Sequence, residues 1–67
     1  MTIFAQRRIE AARMALDVAR YWLRDAARYE HEADWRAHCI MQARRNTERA
    51  ELFIAAAEQM QDMEKAA

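Results

Sequence analysis

Along the first half of the chain, apolar residues recur at a spacing that closes on one side of a helix. With successive residues about 100° apart, Phe4, Ile9, Ala11, Ala12, Ala15, Leu16, Val18, Ala19, Trp22, Leu23, Ala26 and Tyr29 share one arc, interrupted by Arg8 and Glu30. The opposite side carries Gln6, Arg7, Glu10, Arg13, Asp17, Arg20, Arg24, Asp25 and Arg28. This two-sidedness predicts an amphipathic helix over about 3–31. A second arc, formed by Trp35, Cys39, Ile40, Ala43, Thr47, Ala50, Phe53, Ile54, Ala57 and Met60, predicts a helix over about 35–65. The turn then falls at about 31–34, with Asp34 as the cap of the second helix.

The predicted fold is all-α: one domain over 1–67, built as a long antiparallel helical hairpin. The second arc stays in phase through Asn46 and Thr47, which favours one continuous helix. Thr47 followed by Glu48 and Glu51 could also open a helix, so a three-helix bundle with a break near Asn46-Thr47 is the alternative.

Alanines at 5, 12, 19, 26 and 33, and again at 43, 50 and 57, recur every seventh position within the two arcs. A seam of small residues lets a second helix approach closely. A chain of 67 residues has a marginal core. Its single cysteine, Cys39, cannot form an internal disulfide, which leaves oligomerisation as the means of adding burial. We therefore expect a homodimer, a four-helix bundle joined through Ala12, Ala19, Ala26, Ala43, Ala50 and Ala57 with Leu16, Leu23, Ile40 and Ile54 beside them.

Composition sharpens this picture. The chain has no Gly and no Pro, and it abounds in residues that lose little on entering a helix. Eleven basic and eleven acidic residues cancel. No net field draws the chain to nucleic acid or an acidic membrane, nor is it a carboxylate-covered mimic of DNA. No stretch approaches the roughly 20 apolar residues of a membrane span, so a soluble, cytoplasmic protein without membrane contact is expected.

Candidate chemistry is sparse. His31, Asp34, His38 and Cys39 cluster in sequence near the turn, but two of them lie on or beside a helix break, whereas a metal needs a fixed set of ligands. No metal or other cofactor is expected, and Cys39 on the apolar arc reads as a small core hydrophobe. The acids alternate with arginines at helical spacing (Glu10 with Arg13, Asp17 with Arg13 and Arg20, Asp25 with Arg28, Glu48 with Arg44), the pattern of surface ion pairs and not of a catalytic dyad. There is no glycine-rich phosphate loop and no serine, and Thr2 and Thr47 stand beside no base. Neither an enzyme nor a small-molecule substrate is expected. Asn46 and Thr47 beside the apolar arc read in two ways: as polar residues fixing register, or, for Thr47, as a hydroxyl bonded to the preceding turn.

Binding is better represented. Met41, Leu52 and Met63 fall on the outer side of the second helix near Arg45 and Arg49, as Ile3, Met14 and Tyr21 do on the first. Such rows have the composition of interface anchors, so Met41, Arg45, Arg49, Leu52, Met63, Met14 and Tyr21 are the expected partner-binding residues. Arg36, Arg44, Arg45 and Arg49 also make 36–49 locally basic, and Arg7, Arg8 and Arg13 form a second cluster, which keeps RNA or DNA open as a partner.

Two antiparallel helices of similar length resemble the outline of Rop-like bundles. Trp35 by the turn resembles the Trp-x-Gly hairpins of secreted virulence factors, with Ala37 where that family has glycine. Neither resemblance assigns a role to a residue. In type, a compact helical chain without an active site is similar to phage and mobile-element accessory proteins, including anti-CRISPR inhibitors. The expected function is a non-catalytic protein-protein interaction module, an inhibitor or adaptor of a bacterial or phage protein complex. The alternatives are a Rop-like RNA- or DNA-binding dimer and a structural subunit of a larger assembly.

Overall fold

The computed structural model describes residues 2–66. Two helices, α1 (Ile3–Arg28) and α2 (Ala33–Ala66), fold back on each other as an all-α hairpin, with no strand among the described residues. Thr2, in extended conformation, starts α1: its hydroxyl accepts a hydrogen bond from the Ala5 N–H at 3.1 Å, satisfying one of the free donors of the first turn. At the other end the Tyr29 N–H donates to Asp25 O at 3.1 Å. The chain then reverses over 29–32. The Glu32 N–H donates to Tyr29 O at 3.0 Å, and Glu32 O accepts the first bond of α2 from the Arg36 N–H at 2.8 Å.

The reversal thus comes two residues earlier than the hydrophobic pattern places it, and Asp34 sits in the first turn of α2 instead of capping it. There its carboxylate faces the positive end of the helix dipole. With neither Gly nor Pro to mark a stop, the backbone bonds of Tyr29 and Glu32 decide where the helices end, and among the described residues none adopts a positive φ.

α2 runs unbroken through Asn46 and Thr47. Asn46 Nδ2 donates to Gln42 O at 2.8 Å, and Thr47 Oγ1 donates to Ala43 O at 2.9 Å. Both polar side chains are satisfied one turn back along their own helix, so neither interrupts it. The three-helix alternative does not form, and the hydroxyl of Thr47 bonds to the preceding turn.

The core is made of the smallest side chains. Ala5, Ala12, Ala15, Ala19, Ala26, Ala43, Ala50 and Ala57 are at most 6% exposed, and Cys39 is the largest fully buried side chain. Ala12 and Ala15 meet Ala50, with Phe53 packed against them. Stepping seven residues along each antiparallel helix from that contact brings Ala5 level with Ala57 and Ala19 level with Ala43. The six alanines expected at a self-association surface are therefore consumed within the hairpin. A small-residue repeat serves close approach between any two helices, and here both helices belong to one chain.

The result is a rod. The Cα positions span 54 × 13 × 10 Å, and the radius of gyration is 15.5 Å, where a globular chain of this length would have about 11 Å. Its accessible surface is 5520 Å², against about 4450 Å² for a globular monomer of the same mass.

Candidate protein interaction surfaces

Because alanine fills the contact between the helices, the bulky apolar residues are pushed to its two margins. One margin is aliphatic. Ile9 is half-buried, while Leu16, Leu23, Ile40 and Ile54 are 36%, 52%, 37% and 41% exposed. In the alanine register Ile9 lies beside Ile54, Leu16 beside Thr47, and Leu23 beside Ile40. The last pair lines a groove with Ala26, Ala27 and Arg36.

The other margin is aromatic. Ala11, Met14, Ala15 and Val18 of α1 face Asn46, Arg49 and Phe53 of α2 across a second groove. Toward the turn, Trp22, Trp35 and His38 form a ring cluster. The Trp22 and Trp35 centroids are 6.2 Å apart, His38 meets Trp22 edge-on at 5.6 Å, and it stacks on Trp35 at 5.3 Å. Tyr21 adds an edge contact to Trp22 at 5.8 Å. Trp35 Nε1 donates to Asp25 Oδ2 at 3.0 Å, tying the first turn of α2 to the last turns of α1. Tyr21, Asp25, Tyr29, Glu32 and Trp35 line a third groove there, with Arg28.

The expected partner-binding residues divide into two sets. Met14 and Arg49 both line the groove of the aromatic margin, and Tyr21 lies at the rim of the ring cluster. Met41, Leu52 and Met63, exposed by 47%, 72% and 72%, share the back of α2 with Arg45, away from that groove. The basic stretch disperses as well. Arg36 lines the aliphatic margin and Arg49 the aromatic one, with Arg44 and Arg45 turned outward between them. They compose no single basic face. Of the expected ion pairs, Asp17 approaches Arg20 at 3.8 Å in the open. Asp25 engages Trp35 instead of Arg28.

The ring cluster went unforeseen from the residues alone. Its signal was present: Trp22 and Trp35 stand on either side of the turn within their apolar arcs, so a tight reversal brings them toward each other.

The residues near the turn diverge. His31 reaches Glu30 at 3.4 Å in solvent, His38 packs on the tryptophans, and Cys39 is sealed in the seam. Among the described residues no three His, Cys, Asp or Glu side chains come together as metal ligands. Burial, with the nearby charge of Asp25, raises the Cys39 thiol above its ordinary pKa, which keeps it protonated and a poor nucleophile. No helix among the described residues is long and apolar enough to cross a membrane. No protein family model, curated protein or solved structure matches the chain.

Proposed function

We propose that the chain is a small, non-catalytic protein-binding module. It works as a homodimer and uses its aromatic margin to hold another protein, blocking or bridging it as an inhibitor or adaptor of a bacterial or phage complex. The observation that carries this reading is the groove where exposed Met14 and Val18 and half-buried Phe53 lie beside Arg49 and Asn46, on the same margin as the tryptophan cluster. Met, Trp, Tyr, Phe and Arg are the side chains enriched in interface cores, because they bring large contact area at low entropic cost. A nucleic-acid partner is the weaker reading, since Arg36, Arg44, Arg45 and Arg49 do not line up along one face.

The test is capture from bacterial lysate on the immobilised protein, at low and high salt, with and without nuclease, beside the variant Val18→Asp. An apolar interface holds one protein complex at high salt after nuclease and loses it in the variant. A catch that vanishes with nuclease or salt overturns the reading in favour of phosphate binding. A catch unaffected by Val18→Asp removes the aromatic margin from it.

A further inference from the structure

We infer that the aliphatic margin is the seat of the second copy, so that each hairpin lays its strip of Ile9, Leu16, Leu23, Ile40, Thr47 and Ile54 against the same strip of its partner. The inference rests on the dimeric part of the reading above and assigns it a surface.

The strip is regular where the aromatic margin is not. Ile9, Leu16 and Leu23 step by seven along α1, and Ile40, Thr47 and Ile54 do the same along α2, in the register set by Ala12 against Ala50. Three layers result, each contributed by both helices and each about 10.5 Å from the next at 1.5 Å rise per residue. A heptad repeat on both helices is the geometry by which one hairpin interdigitates with another in a four-helix bundle. A two-fold interface must also be self-complementary. A strip of aliphatic side chains of similar size meets that demand along its length, with charge (Arg36, Glu30) only at its Leu23–Ile40 end.

Area points the same way. The chain exposes 5520 Å², about 1000 Å² more than a globular monomer of its mass. A stable complex buries about 800 Å² on each partner. Stacking two rods along their long faces removes an excess of that size, whereas end-to-end contact across a 13 × 10 Å section does not.

Thr47, the polar member of the middle layer, is no obstacle. Its hydroxyl already donates to Ala43 O at 2.9 Å, so covering it strands no donor. None of the six residues of the strip is an aromatic or an arginine, the anchors that mark contact with a different protein; Arg36 borders it at the Leu23–Ile40 end, and the tryptophans lie on the opposite margin.

The test combines sedimentation equilibrium with hydroxyl-radical footprinting of the unaltered chain, and repeats the sedimentation on Leu16→Glu. We expect a dimer in which Leu16, Leu23, Ile40 and Ile54 are protected and regain reactivity on dilution, while Met14, Tyr21 and Leu52 react throughout. Leu16→Glu should weaken the dimer about 1000-fold or more, since the two-fold places the charge at the interface twice. A dimer protected at Phe53 and Val18 instead, or one that survives Leu16→Glu, overturns the assignment but leaves dimerisation standing. A chain that remains monomeric at millimolar concentration overturns both. The footprint needs no variant, so a failure of Leu16→Glu to fold would not blur the outcome.

Discussion

The middle of the hairpin and its turn end are built from the same two helices by opposite means. In the middle, Ala12, Ala19, Ala43 and Ala50 repeat at seven-residue intervals, and no side chain larger than theirs is fully covered. At the turn end, carrying the register one more repeat would set Ala26 against Arg36, and the repeat gives way. Cys39 enters the seam, Trp22, Trp35 and His38 close over one side, and Asp25 accepts from Trp35 in the one hydrogen bond between side chains among the described residues. The middle gains closeness and little area, whereas the turn end gains area and a directional tie. Close approach and deep burial are thus separate achievements, and a chain that has mostly the first still has apolar surface to place.

The strongest way to break this contrast is to overfill the middle. Ala19→Leu or Ala50→Leu should force the helices apart and lower stability by about 1–3 kcal/mol. Thermal unfolding that finds either change neutral would mean that the alanine register is not what spaces the helices. Trp22→Ala tests the other end. Its ring is half-buried, so the loss should be about 1–2 kcal/mol, and hydrogen exchange should speed up near the turn while the amides of the middle keep their protection.

Asp25→Ala sharpens the comparison by removing the tie and leaving the rings. The bond is exposed, so the cost should stay near 0.5–1 kcal/mol, with a shift in Trp35 fluorescence as the direct readout. An unchanged spectrum would show that the bond is not held in solution.

The smallest expected effect concerns Cys39, where the two regions meet. Its raised pKa means that the folded chain prefers the neutral thiol. That contribution is complete below the ordinary thiol value of about 8.5 and is lost as pH climbs through the raised folded value, because the thiolate is better accommodated in the unfolded chain. Stability should therefore decline on the alkaline side, and Cys39→Ala should flatten that decline. Alkylation of Cys39 should also be slow at neutral pH compared with a free thiol.

The two helices and the alanine repeat were legible in the sequence, since both are periodic and periodicity needs no knowledge of the partner. What the repeat could not reveal is whose helix answers it. Ala12 and Ala50 read equally well as contacts between chains or within one, and the decision lies in a turn only four residues long. That turn was itself the least readable part. Asp34 has the chemistry of a cap, and nothing at Tyr29 announces the end of α1. From this one displacement follows the missed cluster, because Trp22, Trp35 and Asp25 meet only once the reversal is placed at 29–32. The candidate binding residues split for a related reason. Helical spacing shows which side of its own helix a residue takes, and it sets Met41, Leu52 and Met63, all exposed, on one side of α2. It does not say what the other helix sets beside them, and so the groove that Met14 shares with Arg49 and Phe53 waited on the register.

The reversal at 29–32 is made entirely from ordinary backbone conformations, with no left-handed residue anywhere among the described positions. Many tight connections reserve a position for glycine, and that position can then carry no side chain. Here none is reserved. The unfolded chain, free of glycine, has less backbone freedom to surrender on folding. Every residue of the bend keeps a side chain that can be exchanged without disturbing the bend, and two of them, Tyr29 and Glu32, already line the groove beside Trp35. The tip of the rod can thus vary in what it presents while its shape stays the same.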